Sequence, residues 1–369
     1  MRILESMTSM IAGSRFHLNN QRSSNSGLHE DSSDAISFNF DSINRETTND
    51  HPLVNPNIGV STYNSTKSPR PLIIWHGLGD SYNSEAMYRV FEILRSVVPD
   101  LYIYSVFLDE DTEKDAQKSM FANMNEELDA VCERVLADPV ISMALKNQHD
   151  GGADSHSGVN MIGFSQGGLF SRSLIERCEG LNNINNLITF GSPHNGISDL
   201  PECGKTDWVC HQRNKFVKGH IWDKNIQQNV VFAQYFRNGA GSHGYNEDYE
   251  KYLENSIFLK DVNNEGEKGD EMYKKKLTSI NGKFVMVRFE KDKVVVPRDS
   301  AWFSDWQPKI SKNEDHVLIP LIESRQFRED LIGLQEMLNS DKLVFESING
   351  EHMSISEGDL EKFARAYLT

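Results

Sequence analysis

The chain has 369 residues, with 38 Lys and Arg against 54 Asp and Glu, a net charge of −16. Such a balance repels phosphate backbones and anionic headgroups, which argues against nucleic-acid binding, and no run approaches the 18 or so apolar residues of a membrane span. Met1–Phe16 carries two arginines but lacks the apolar stretch of roughly 7–15 residues that an export signal requires, so none is expected from these residues.

Residues 17–68 are rich in Asn, Ser, Asp, Thr and Glu and lack apolar periodicity; segment 1–68 is therefore expected to be a disordered polar extension. At Pro71 the pattern changes. Pro71-Leu-Ile-Ile-Trp75 is the short continuous apolar run of a strand buried on both faces. Ser84 can cap a helix that presents Met87, Val90, Phe91 and Leu94 on one face and ends by Pro99. Leu101–Val106 reads as a second strand, and Phe121, Met124, Leu128, Val131 and Val135 step along a longer helix that stops before Pro139. After a polar loop over 146–158, Val159–Gly163 forms a third strand leading into a helix that runs to Cys178, and Asn186–Phe190 forms a fourth.

Strand and helix thus alternate four times in about 120 residues, which predicts an α/β fold with a mostly parallel, doubly wound sheet. The alternation breaks at about 197–282, a helical insertion that could act as a lid, and Phe284–Phe289 and Leu343–Phe345 then restore two strands. The folded domain is expected to span 69–369. Within the insertion, Phe216, Val217, Ile221, Trp222, Val230, Val231 and Phe232 could line an apolar groove or form the insertion's own core.

Gly163-Phe-Ser-Gln-Gly167 matches G-x-S-x-G, the strand-to-helix turn that projects a serine at a helix N-terminus. The pattern alone is weak, but the strand before it and the helix after it supply the context, and Ser165 is the expected nucleophile. In this fold the acid and then the base follow the serine along the chain. His352 lies in a short loop directly after a strand and is the expected base. His316 sits in a charged loop, and His194 precedes the acid and is read as structural. Asp292, just beyond the Phe284–Phe289 strand, is the expected acid, with Asp299 as its rival. Oxyanion donors are expected from the backbone of Gln166 and of Leu78, the latter in the loop His76-Gly-Leu-Gly-Asp80. No metal or organic cofactor is needed for such a site.

The four cysteines, Cys132, Cys178, Cys203 and Cys210, show no zinc-type spacing. Cys203 and Cys210 could close a six-residue loop, and Cys132 and Cys178 lie on helices flanking the third strand; free core cysteines are the alternative. Asn64-Ser-Thr66 is a glycosylation sequon.

Ile74-Trp-His-Gly-Leu-Gly-Asp-Ser81, Gly163-Phe-Ser-Gln-Gly-Gly168, Ser256-Ile-Phe-Leu259, Asp299-Ser-Ala-Trp-Phe303 and Gly350-Glu-His352, taken in order and spacing, resemble the palmitoyl-protein thioesterase family from about Pro71 to the C-terminus. The resemblance implies an α/β-hydrolase that cleaves long-chain acyl thioesters of S-acylated proteins or peptides, without cofactor, as a monomer in the lysosome, vacuole or secretory pathway. It also implies Ser165 as nucleophile, Asp292 as acid, His352 as base, Leu78 and Gln166 at the oxyanion hole, and the pairings Cys132–Cys178 and Cys203–Cys210. An oxygen-ester lipase or carboxylesterase would share every one of these catalytic residues, and an inactive hydrolase-like binding protein would share the fold.

Overall fold

A computed structural model describes residues 35–37, 68–146, 157–200, 208–238, 247–267, 269–307 and 317–369. Its centre is a six-stranded, wholly parallel sheet. The elements run, in chain order, β1 (Ala35–Ser37), β2 (Leu72–Trp75), α1 (Glu85–Val97), β3 (Ile103–Ser105), α2 (Thr112–Lys118), α3 (Met124–Ala137), α4 (Pro139–Lys146), β4 (Val159–Phe164), α5 (Gln166–Arg177) and β5 (Ile184–Phe190). The insertion follows with α6 (Trp208–His220), α7 (Lys224–Asn229), α8 (Val231–Gln234), α9 (Glu247–Asn255), α10 (Leu259–Val262) and α11 (Glu271–Thr278). Then come β6 (Phe284–Phe289), β7 (Asp305–Trp306), β8 (Leu318–Ile319), α12 (Arg325–Arg328), α13 (Leu334–Asn339), β9 (Leu343–Ile348), β10 (Ser354–Ser356) and α14 (Glu357–Tyr367).

The sheet order is β3-β2-β4-β5-β6-β9, with parallel pairing throughout. The strands are apolar on both faces because helices cover both. Leu72, Ile74, Ile162, Phe164, Ile188, Phe190, Val285 and Val287 pack toward α1 and α14, while Ile73, Trp75, Met161, Leu187, Phe284 and Met286 pack toward α3, α4, α5 and the insertion. This is the doubly wound α/β arrangement that the alternating pattern predicts.

Several boundaries differ from the sequence reading, for identifiable reasons. Pro139 does not merely follow a helix: it occupies the first position of α4, where its missing N–H has no partner to lose. The α3 helix starts at Met124, not Phe121, because the Asn123 side chain caps it by accepting from the N–H of Asn125. Helix α2 has no apolar stripe and is not foreseen; Asp111 caps it through the N–H of Lys114. Within the polar extension, β1 pairs antiparallel with β10; the rest of 1–67 lies outside the described residues, as do most of the loop over 146–158, Cys203 and His316. Val217, Ile221, Val230 and Val231 are buried in the same apolar core as the sheet, Trp222 and Phe232 pack against that core, and Phe216 is exposed. Apart from Phe216, these side chains belong to that core. Among the described residues no helix is long and apolar enough to cross a membrane.

Candidate active site

The turn that carries Ser165, the expected nucleophile, follows from the β4–α5 junction. Ser165 sits between the last residue of β4 and the first of α5 at φ 52°, ψ −127°, a conformation that costs a non-glycine residue of order 1–3 kcal/mol and that recurs at functional turns. Two glycines make the turn possible. A Cβ on Gly163 would lie 2.3 Å from the Gly168 Cα, and one on Gly167 would lie 2.3 Å from the His76 carbonyl oxygen. Ser165 is anchored by its own N–H, which donates to the Phe190 carbonyl at 2.8 Å.

Strand register brings the partners together. In the β6–β9 pair Phe289 lies opposite Ile348, so the loops leaving both carboxyl ends start side by side. They are tied by backbone bonds from Glu290 N–H to the Ile348 carbonyl (2.9 Å) and from Lys291 N–H to the Gly350 carbonyl (3.0 Å). Asp292 leaves one loop and His352 the other. Asp292 Oδ1 accepts from the N–H groups of Val294 (2.8 Å) and Val295 (3.0 Å), which leaves Oδ2 to face His352 Nδ1 at 2.6 Å. A carboxylate oxygen accepts, so Nδ1 carries the proton and Nε2 presents its lone pair to Ser165 Oγ, 2.9 Å away. All three side chains are buried, with Ser165 8% exposed.

The other candidates are placed elsewhere. Asp299 pairs with Arg288, whose guanidinium lies 3.7 Å from the centre of the Trp302 ring. His194 is fully buried, with Nε2 2.9 Å from Thr189 Oγ1 and its ring stacked on Phe303; burial lowers its pKa well below the ordinary value. It is structural, as its position in the chain suggests.

Leu78 and Gln166 are the expected oxyanion donors. A Cβ on Gly77 would meet the Ser165 Cβ at 3.4 Å, so the His76–Asp80 loop runs beside the nucleophile. Gln166 opens α5, and its N–H is one of the first four that a helix leaves without an internal acceptor. Its side chain is held from two sides, donating from Nε2 to the Ser119 carbonyl (2.9 Å) and accepting at Oε1 from the Tyr235 hydroxyl (3.1 Å). Ser119 and its neighbour Asp115 escape sequence reasoning, because the stretch from Asp109 to Lys118 is charged at most positions and reads as a solvated face.

Cys132 and Cys178 form a disulfide, joining α3 to the C-terminal end of α5. The proposed Cys203–Cys210 pair falls on residues whose side chains lie outside the described ones.

Comparison with known proteins adds an independent line. The family described as palmitoyl protein thioesterase matches residues 71–352, a span that opens at β2 and closes on His352. Palmitoyl-protein thioesterase 1 of Caenorhabditis elegans is 32% identical over 293 residues, covering 79% of this chain and 89% of its own. Palmitoyl-protein thioesterase 3 of Dictyostelium discoideum is 28% identical, covering 81% and 90%. A palmitoyl-protein thioesterase-dolichyl pyrophosphate phosphatase fusion of Schizosaccharomyces pombe is 30% identical over 80% of this chain but only 43% of its own length. With the match spanning the sheet, the serine turn and both partner loops, this chain belongs to the palmitoyl protein thioesterase family.

Proposed function

We propose that Ser165, His352 and Asp292 hydrolyse the thioester between a long-chain fatty acyl group and a cysteine of an S-acylated protein or peptide. The observation that carries this reading is the continuous relay from Asp292 Oδ2 through His352 to Ser165 Oγ, at 2.6 and 2.9 Å. His352 Nε2 takes the Ser165 proton as Oγ attacks the thioester carbonyl. The oxygen of that carbonyl becomes an anion facing the N–H groups of Leu78 and Gln166. The C–S bond breaks, the sulfur leaves with the proton held by His352, and the acyl group remains on Ser165. Water then gives a proton to His352 and its oxygen to the acyl carbon, and Ser165 recovers its proton as the fatty acid leaves. Asp292 stays ionised, holding the imidazole tautomer and stabilising the transient cation. Thiolates leave more readily than alkoxides, so this relay is asked for less help at the leaving group than in an oxygen ester.

A lysosomal or secretory setting is part of the same reading. A disulfide between Cys132 and Cys178 suits an oxidising compartment, and a Xenopus laevis relative 26% identical to this chain is named a lysosomal thioesterase. The reading takes the working unit to be the monomer, since the relay is complete within one chain.

The test is turnover of an S-palmitoyl peptide beside the matched oxygen ester and a series of shorter acyl chains, with Ser165→Ala as control. Preference for the long-chain thioester, abolished in the variant, is the expected result. Preference for the oxygen ester would assign a lipase or carboxylesterase, and turnover independent of Ser165 would overturn the mechanism.

A further inference from the structure

Asp115 and Ser119 lie one helical turn apart, Asp115 in α2 and Ser119 as its C-terminal cap, and both are buried, 0% and 1% exposed. The Asp115 carboxylate accepts backbone N–H groups at both oxygens, from Leu108 at Oδ1 (2.7 Å) and from Tyr82 at Oδ2 (2.8 Å). Oδ2 also stands 3.2 Å from His76 Nε2, and His76 is itself 1% exposed. The second ring nitrogen, Nδ1, lies 3.0 Å from the carbonyl oxygen of Gly77. A carbonyl can only accept, so Nδ1 carries a proton. Nε2 makes no aligned hydrogen bond, but it faces the Asp115 carboxylate across 3.2 Å, at ion-pair distance, and that carboxylate, already holding two backbone N–H groups, is kept as an anion. Paired with it, the ring is held as a buried imidazolium, distinct from the catalytic His352.

We propose that His76, Asp115 and Ser119 are positioning residues of the oxyanion hole, with the His76 imidazolium, anchored on Asp115, aiming the Leu78 N–H at the reacting carbonyl and Ser119 coupling that loop to Gln166. The Gly77 carbonyl and the Leu78 N–H belong to one peptide plane and point in opposite directions when the bond is trans. Holding the oxygen from behind thus directs the N–H forward. A charged donor on the carbonyl also polarises the amide and makes its N–H a stronger donor. Ser119 completes the arrangement: Oγ accepts from the Gly79 N–H (2.7 Å) while donating to the Ala116 carbonyl (2.7 Å), and its own carbonyl accepts from Gln166 Nε2. One short helix therefore braces both donor segments. The protonation agrees with the electrostatics. Burial, the largest single influence, opposes the charge on His76, but the Asp115 carboxylate, Asp80 and the Gly77 carbonyl together outweigh it and raise the pKa to about 9. The other titratable group that acts on it is Asp80 of its own loop, whose pKa burial raises.

This inference rests on the reading of Ser165 as nucleophile and Leu78 as oxyanion donor, and the experiment separates the two. In the full chain, S-palmitoyl peptide turnover is measured for His76→Gln, Asp115→Asn and the milder Ser119→Ala, together with inhibition by a long-chain alkyl boronic acid, which forms a tetrahedral adduct on serine. The expected result is a kcat lowered roughly 10–100-fold in His76→Gln and Asp115→Asn, a KM within about twofold, and a boronate affinity weakened in proportion, since loss of one oxyanion donor costs about 10²–10³ in kcat. Nitrogen-15 spectra at pH 7.5 should show both His76 ring nitrogens protonated, and Asp115→Asn should lose that signature. A lowered melting temperature with kcat unchanged in all three variants would reduce the cluster to a fold-stabilising role and overturn the proposal, as would a neutral His76 in the wild-type spectrum. Full turnover by Ser165→Ala would instead overturn the underlying catalytic reading. If His76→Gln fails to fold, Asp115→Asn and Ser119→Ala carry the comparison.

Discussion

At the scale of single residues the site is a division of labour between atoms of the same group. Asp292 commits one oxygen to the Val294 and Val295 N–H groups and keeps the other for His352. Asp292→Asn places an amide against Nδ1 and favours the wrong tautomer, so kcat for a thioester substrate should fall roughly 10⁴-fold with little change in KM. Asp299→Asn, seven residues on, should leave kcat within about threefold, because Asp299 serves Arg288 beside Trp302. Steady-state kinetics on the two variants decides between the rival acids. A second residue-scale expectation concerns pH. His76 has its pKa raised from 6.5 to about 9 in the folded chain, so the stability it contributes with Asp115 is fully present below pH 6.5, declines as pH rises between the two values and is lost above about 9. Asp115→Asn should flatten that part of the stability profile, measured by denaturant unfolding at a series of pH values.

At the scale of elements, helix α5 has a function at each end. Its N-terminus carries Ser165 and the Gln166 N–H; its C-terminus is held by two devices. Lys276 of α11 places Nζ within hydrogen-bond reach of the carbonyls of Cys178, Glu179 and Leu181 and of Asn182 Oδ1, at 2.6–3.2 Å, where an ammonium suits the negative end of the helix dipole. The Cys132–Cys178 bond ties the same end to α3 across a sequence separation of 46 residues. Closing a loop of that size in the unfolded chain is worth roughly 3–4 kcal/mol, so Cys132→Ala with Cys178→Ala should lower unfolding free energy by about that amount while kcat at low temperature is kept. Calorimetry beside kinetics checks it. The middle of α5 is fastened by Arg172, which is fully buried and donates to Glu176, the Val262 carbonyl, the His194 carbonyl and Asn263 Oδ1. The nucleophile is thus positioned by a helix braced along its whole length.

At the scale of the molecule, the insertion is built into the same structure as the sheet. Val230, Phe258, Leu259 and Leu277 share one apolar core with Trp75, Phe170, Leu174 and Phe284. Arg237 of the insertion pairs with Glu265, also of the insertion, and with Asp305 beyond β6, all three nearly inaccessible to solvent. Arg237→Met would leave two buried carboxylates without their cation and should cost about 3–5 kcal/mol. Because the core is shared, the wild-type transition in denaturant is expected to be single, with tryptophan fluorescence and far-ultraviolet circular dichroism coinciding; a separate early transition of the insertion would overturn that view. The alternating apolar runs, the G-x-S-x-G turn and the order of serine, acid and histidine were legible along the chain, because hydrophobic period and turn chemistry are local properties. Family membership was legible on the same motifs. The contacts that choose Asp292 over Asp299, the buried imidazolium of His76, and the bracing role of α2 were decided only by the tertiary structure. Asp115 stands among charged neighbours that read as a solvated face, and only the packing of α2 beneath the His76–Asp80 loop removes it from water. A polar side chain's role depends on which partners lie within about 3 Å, and in this chain those partners are 39, 60 and 187 residues apart in the pairs His76–Asp115, Asp292–His352 and Ser165–His352.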